Sequence, residues 1–275
     1  MKHKRIYISA DIEGIAGVVG PDQQMDTGFE YSLARQWMTN EVNAACNACF
    51  SLGVEEVIVS DSHGNGQNIL LDALPDNVKI VRSWPRPLEM MQGIEIGQFD
   101  GAMFIGYHSG STDSAGSMAH TVHGLIIHEI RLNGIICSET LISAATAGEY
   151  AVPIIYVTGD DAYIESATRD LGQIDHTITK WTTGQLSALT LKPQESCTKI
   201  ARDAEKALNN LNSYKPYVLK GPIELEITLK KRINAELLDY LPVIERLDGY
   251  NIRFIGKNML EVSKMIAFIS NVMKM

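Results

Sequence analysis

Apolar and polar positions in this 275-residue chain alternate between two periods, and the alternation sets out the elements. Short, almost continuously apolar runs at Arg5–Ala10, Glu56–Ser60, Val78–Val81, Ala102–Tyr107 and Pro153–Thr158 predict strands buried on both faces. Between them, apolar residues return at helical spacing. The spacing predicts a long helix over Tyr31–Leu52, stopped by Gly53, and an alanine-rich helix over Ser138–Tyr150. Leu125–Leu132 alternates with period two and runs into Asn133-Gly134, a hairpin turn signal. Strands interleaved with helices predict an α/β fold with a largely parallel sheet flanked by helices. After Leu191 the character changes. A charged amphipathic helix reaches Leu211, and Pro216 to Pro222 reads as a linker. A strand over Ile223–Leu229, a helix near Ala235–Tyr240, a hairpin around Ile244–Ile255 and a closing helix Leu260–Met273 follow. The division expected is a catalytic α/β domain over 1–191 and a second, smaller α+β domain over 192–275.

Composition narrows the function. Acidic side chains outnumber basic ones 33 to 24, for a formal charge of −9, and the basic groups Lys2 to Arg5 and Lys230-Lys231-Arg232 are short. A nucleic-acid partner needs a clustered basic footprint, so none is expected. The first apolar run reaches Asp11 too soon for a secretory signal, and no run is long and charge-free enough to cross a bilayer. Four cysteines suit a reducing compartment, so a cytoplasmic protein is expected. Cys46-x-x-Cys49 invites a zinc or redox reading, but it sits inside the long helix, and no second such pair completes a zinc knuckle.

The polar residues that matter collect where strands end, which is where ligands bind in open α/β sheets. The first strand runs into Asp11-Ile12-Glu13-Gly14, the second into Asp61-Ser62-His63-Gly64, and the Ala102–Tyr107 strand into His108. Glu139 opens the alanine-rich helix. In an extended segment Asp11 and Glu13 project to the same side, and two carboxylates that close need a cation or proton between them. With His63, His108 and Glu139 they offer three carboxylates and two imidazoles, a set that suits zinc, with manganese or cobalt as substitutes. Five ligands exceed the need of one tetrahedral ion, whereas two ions sharing one carboxylate use them all. Taken singly, each residue also reads as a turn, a helix cap or a pocket histidine. The Ser- and Gly-rich stretch Ser109 to Ser117 predicts a mobile loop able to close over the site, bringing His120 or His123 as a proton-transfer group.

In order, Ser9-x-Asp11-x-Glu13-Gly14, Asp61-Ser62-His63-Gly64, Gly106-Tyr107-His108, His120-Thr121, Asn133-Gly134 with Glu139, and Val157-Thr158-Gly159-Asp160-Asp161 resemble the DppA-like zinc-dependent D-aminopeptidases, a binuclear metallopeptidase family. The resemblance runs to about Ala167 and more loosely beyond. It implies two zinc ions per subunit: Asp11 bridges them, Glu13 and His108 complete one, and His63 and Glu139 complete the other. It implies His120 as the catalytic histidine, a nucleophile or a proton handler. It further implies a homodecamer of two stacked pentamers enclosing a channel that admits short peptides. The chain departs from the family's pattern at Thr140-Leu141-Ile142-Ser143 and in the Ser109–Ala119 loop, both of which bear on specificity. The function expected is removal of N-terminal D-amino acids from short peptides. The alternatives are a binuclear hydrolase for a phosphoester or cyclic amide, and a non-catalytic peptide- or metal-binding protein.

Overall fold

The structure, a computed structural model, describes residues 4–273; the start of the basic opening, residues 1–3, lies outside them. The first sheet holds seven strands: β1 (Arg5–Ala10), β2 (Glu56–Asp61), β3 (Val78–Val81), β4 (Gly101–Tyr107), β7 (Ile154–Asp160), β8 (Asp175–Gly184) and β9 (Ser187–Thr190). Their spatial order is β3-β2-β1-β4-β7-β8-β9, parallel throughout except for the antiparallel β8–β9 edge. Chain order therefore runs outward from β1 to β3 on one side and from β4 on the other. The reversal lies between β1 and β4, whose carboxyl ends flank the crevice such a reversal creates.

Both faces of this sheet are covered, as the continuous apolar strands require. On one face, α2 (Tyr31–Ser51) and α5 (Pro193–Asn209) press Met38, Val42, Cys46, Cys49 and Ile200 onto Ile6, Ile8, Val59 and Ile105. Cys46 and Cys49 are thus free thiols in an apolar layer, and burial pushes the Cys46 thiol up to about 12. The other face takes α3 (Glu139–Glu149) and α4 (Asp161–Leu171). A short helix α1 (Pro21–Gln24) lies in the β1–α2 connection.

The second sheet is antiparallel, in the order β11-β12-β10-β5-β6, built from β5 (Ile127–Leu132), β6 (Ile135–Ile136), β10 (Ile223–Leu229), β11 (Ile244–Arg246) and β12 (Asn251–Gly256). Asn133 and Gly134 both take positive φ at the β5–β6 turn, as the sequence predicts. Helices α6 (Arg232–Leu238) and α7 (Met259–Val272) complete this layer. The sheets do not divide at one point of the chain: β5 pairs with β10, while α5 packs on the first sheet.

Helix α3 joins the layers. Its Ala144 and Ala147 pack on the first sheet, and its Leu141, Ile142 and Ala145 pack on the second. The side toward the first sheet carries small residues, and a Cβ on Gly148 would lie 2.0 Å from the Tyr217 carbonyl oxygen. The N-terminus of α3, with Glu139, is held between the sheets and faces the β1/β4 crevice. Among the described residues no helix is long and apolar enough to cross a membrane.

Candidate metal centre

The strand ends converge because glycines let their backbones touch. A Cβ on Gly14 would lie 2.0 Å from the Tyr107 carbonyl oxygen, and one on Gly106, at φ +72°, would lie 2.3 Å from the Asp11 carbonyl oxygen. The segments carrying Asp11 and Glu13 and that carrying His108 are thereby joined, with Asp11 N donating to Ile105 O at 2.8 Å and Gly14 N to Gly106 O at 2.7 Å. Beyond β2, Asp61 shapes the next loop rather than entering the cluster. Its carboxylate accepts from the Asn68 and Ile69 backbone amides at 2.6 and 2.8 Å and turns the chain so that His63 faces β1.

Asp11, Glu13, His63, His108 and Glu139 all meet in this crevice, and the three carboxylates are at most 4% exposed. The Asp11 oxygens face different neighbours: Oδ1 lies 3.2 Å from His63 Nδ1, and Oδ2 lies 3.4 Å from His108 Nε2. His63 Nδ1 also lies 3.0 Å from Glu13 Oε2, and His108 Nε2 lies 3.4 Å from Glu139 Oε2. Two groups able to hold an ion result, Asp11/Glu13/His63 and Asp11/His108/Glu139, and a third combines Glu13, His108 and His120. Of the pairing implied by the resemblance, Glu13 with His108 occurs in the third group, while His63 and Glu139 share none of the three. The β2 loop turns His63 toward the Glu13 side, and α3 brings Glu139 to the end of β4.

Each imidazole is anchored on its far side by a backbone carbonyl. His63 Nε2 bonds to Gln24 O at 3.0 Å, His108 Nδ1 to Ser109 O at 2.9 Å, and His120 Nδ1 to Met118 O at 3.1 Å. A carbonyl only accepts, so those nitrogens carry a proton in any charge state of the ring, and the opposite nitrogens face the carboxylates, where a bound cation would take the place of a proton. His108 Nε2 is buried with no hydrogen-bond partner. A ring nitrogen held 3.4 Å from two carboxylate oxygens, too far for a good hydrogen bond, fits a cation in the space between them.

The charges agree. Burial alone would raise Asp11, but the nearness of His108 and His63 outweighs it and holds the carboxyl well below the usual range; Glu139 is likewise lowered by His108 against its burial. Burial alone would lower His63 and His108, yet Glu13 and Asp11 on one, and Glu139 and Asp11 on the other, hold both well above an ordinary histidine. The cluster demands positive charge, which a divalent ion supplies.

His120 stacks on His108 at 4.2 Å between ring centroids, with its Nε2 3.8 Å from Glu139 Oε1. Its loop is strained: Met118 and the β-branched Val122 have positive φ, and His123 N closes a three-residue turn on Thr121 O at 2.7 Å. Val122 N in turn donates to Glu139 Oε1 at 2.7 Å, which ties the loop to the cluster. The Ser- and Gly-rich stretch expected to be mobile is fastened at Ser117, whose amide and hydroxyl both donate to Asp160 Oδ2. Its small residues serve close packing, since a Cβ on Gly116 would lie 2.4 Å from that of Ser109. His123 lines the adjoining cavity but belongs to none of the three ligand groups.

Three further residues support the cluster without any motif in the sequence to mark them. Gln24 orients two groups at once, through Nε2 to Glu13 Oε1 at 2.7 Å and through its carbonyl to His63. Beneath the Gly14–Val18 loop, Lys180, 0% exposed, donates from Nζ to the carbonyls of Glu13 and Val18. Glu41, also fully buried, accepts from the Ala16 amide at 3.0 Å and the Ser196 hydroxyl at 2.8 Å. Burial pulls Lys180 down to about 8 and pushes Glu41 up to about 7. A cavity of about 530 Å³ opens over the cluster, with Met25, Trp84, Met90, Ile142 and Leu186 in its walls.

Along nearly its whole length the chain is similar to known proteins. A family model described as D-aminopeptidase matches residues 4–268. A D-aminopeptidase of Bacillus subtilis (strain 168) is 29% identical over 260 residues, covering 94% of this chain and 93% of the relative. The solved structure of the Zn-dependent D-aminopeptidase DppA from Bacillus subtilis, described as a self-compartmentalizing protease, superposes with a TM-score of 0.93 at 26% identity, covering 98% of each chain.

Proposed function

This chain belongs to the D-aminopeptidase family, and from that premise we propose that it is a zinc-dependent enzyme removing N-terminal D-amino acids from short peptides through a two-metal site. The observation that carries the two-metal reading is Asp11, whose two oxygens face two different imidazoles from opposite sides. Asp11, Glu13 and His63 would hold one ion and Asp11, His108 and Glu139 the other, with Asp11 shared. Zinc suits this mixture of imidazole and carboxylate donors, and manganese or cobalt could substitute. When bound, a divalent pair supplies a Lewis acid for the scissile carbonyl and lowers the pKa of water toward neutrality.

The chain's own residues do the rest. His120, anchored through Nδ1 and facing the cluster through Nε2, would hold and move the proton at Nε2 as the amide is cleaved. Glu139 fixes the Val122 amide and so the position of the His120 loop. The apolar walls exclude water around a short peptide. Phosphoester hydrolysis suits the cavity less well, because Lys230 is the only lysine or arginine among its described lining residues.

For assembly we propose the homodecamer of two stacked pentamers that the resemblance implies. In support, Phe29, Leu125 and Tyr240 are 82%, 79% and 69% exposed, a pattern of large apolar side chains that suits subunit contacts. A native mass of the 30.3 kDa chain alone would contradict it. A cytoplasmic location accords with the free cysteines. The activity is tested on a panel of D- and L-aminoacyl amides, dipeptides and a phosphoester. Turnover of D-aminoacyl substrates is expected; turnover of the phosphoester alone, or metal binding without any turnover, would overturn the reading.

A further inference from the structure

The basic group Lys230-Lys231-Arg232 takes no part in the metal centre, yet its first member reaches the same cavity. Lys230 follows β10 directly; its amide donates to Ile126 O at 2.8 Å, and its Nζ donates to Gly124 O. Lys231 and Arg232 do not line the cavity, whereas Lys230 does. The side chain is exposed, and an ammonium has three hydrogens to donate. The described residues offer it no partner besides Gly124 O, which takes one of them.

A line of contacts places this ammonium relative to the cluster. His108, a proposed ligand, stacks on His120 at 4.2 Å between ring centroids. His120 in turn packs on Gly124, where a Cβ would lie 3.3 Å from His120 Cβ and 3.6 Å from the ring carbons Cγ and Cδ2. Gly124 O then holds Lys230 Nζ. The order outward is therefore cluster, His120, Lys230. A short peptide cleaved at its first bond presents its parts in that same order: the carbonyl under attack, the departing nitrogen that takes up a proton, and beyond it the free carboxylate. Apart from histidines, the other charged residues lining the cavity are the carboxylates of Asp11, Glu13, Glu89 and Glu139, so Lys230 is the fixed cation that a substrate carboxylate would meet there.

We propose that Lys230 is a specificity-determining residue that receives the substrate's free C-terminal carboxylate, so that the site selects short peptides with an ionised C-terminus over their amides. The ammonium donates to the carboxylate and keeps its bond to Gly124 O. The contact is made in the bound substrate and persists through cleavage, so it acts on KM more than on kcat. The assignment rests on the aminopeptidase reading for the ligand being a peptide.

Release of D-leucine from D-leucylglycine and D-leucylglycylglycine is compared with release from their C-terminal amides, so that each pair differs in the terminal charge alone. Calorimetric binding of non-hydrolysable analogues of the same acids and amides, with CH2–NH in place of the first peptide bond, is an arm independent of turnover. Two variants are used, Lys230→Met and Lys230→Gln, the second of which keeps a donor for Gly124 O. The natural protein should favour the acid over the amide roughly three- to thirtyfold in kcat/KM for at least one length, a range that spans an exposed ion pair and a charge-assisted hydrogen bond. The ratio should arise mainly in KM and shrink as salt is raised, and both variants should bring it toward unity. A ratio of unity at both lengths in the natural protein, or a ratio that the variants leave unchanged, would overturn the assignment. So would an equal fall for acid and amide, which is what a role confined to fastening Gly124 gives. Acid-selective binding with no D-leucine released from any of the four peptides would support Lys230 and sink the aminopeptidase reading instead.

Discussion

Replacing Lys180 by methionine separates the stability of the loop beneath the metal centre from its positioning role. The ammonium group is fully buried and donates to the carbonyls of Glu13 and Val18, gripping both ends of the loop that carries a proposed ligand. Losing both bonds leaves two buried acceptors unsatisfied, at roughly 1–3 kcal/mol each. Against this, the methionine relieves the burial of a charge. The fall of Lys180 from 10.5 to about 8 corresponds to roughly 3 kcal/mol of disfavoured ionisation at neutral pH. The two nearly cancel, leaving a net change between roughly 1 kcal/mol of gain and 3 kcal/mol of loss, small against the 5–15 kcal/mol stability usual for a domain. The variant should therefore fold. The Glu13 backbone, however, is released while Thr179 still donates to Gly14 O and Ala16 stays on Glu41. Zinc affinity should fall roughly 10- to 100-fold, the loss typical when a residue supporting a ligand is removed. Denaturant unfolding and competition for zinc against a chelating dye measure the two quantities on one preparation. A folded Lys180→Met protein with unchanged zinc affinity would refute the positioning role.

Other perturbations address neighbouring parts of the site. His120→Ala should keep its full zinc content yet lose at least a hundredfold in kcat, as expected for removal of a proton-transfer group; undiminished turnover would remove His120 from the mechanism. Glu41, raised from 4.5 to about 7, favours folding while protonated, so its contribution is complete below about pH 4.5 and disappears as pH rises through 7. The stability difference between the natural protein and Glu41→Gln, measured by urea unfolding in one metal state, should change by roughly 3 kcal/mol across that window; a flat difference would contradict the assignment. Because the carboxylates hold His63 and His108 well above an ordinary histidine, zinc entering the stripped protein at pH 7 should release protons from both rings, and its apparent affinity should rise with pH. Calorimetry in two buffers of different ionisation enthalpy counts those protons, and a count of zero would contradict the charge state described.

The ligands were legible in the sequence because their placement is a strand-end property. Asp11, His63 and His108 each follow an apolar run whose end must lie at one edge of a parallel sheet, and Glu139 opens a helix. How they pair was not legible. It depends on Asp61 bending the β2 loop and on α3 lying between two sheets, and periodicity encodes neither. The segment from Asp161 to Leu191 had given no element, although it forms α4, β8 and β9. Strand β8 reads Asp175-His176-Thr177-Ile178-Thr179-Lys180, too polar to look like a covered strand, because the polar face of Thr179 and Lys180 is turned onto the carbonyls of the metal loop. The pairing of β5 with β10 joins residues about 100 positions apart and leaves no local trace.

The central claim is a catalytic metal pair sharing Asp11, and stepwise zinc titration of chelator-stripped protein, followed by hydrolysis of a D-aminoacyl amide, tests it most directly. The stripped protein should show no turnover, and activity should rise to a plateau at two zinc ions per chain, with Asp11→Ala unable to bind the pair. Turnover by metal-free protein, or a plateau at a single ion, would contradict it.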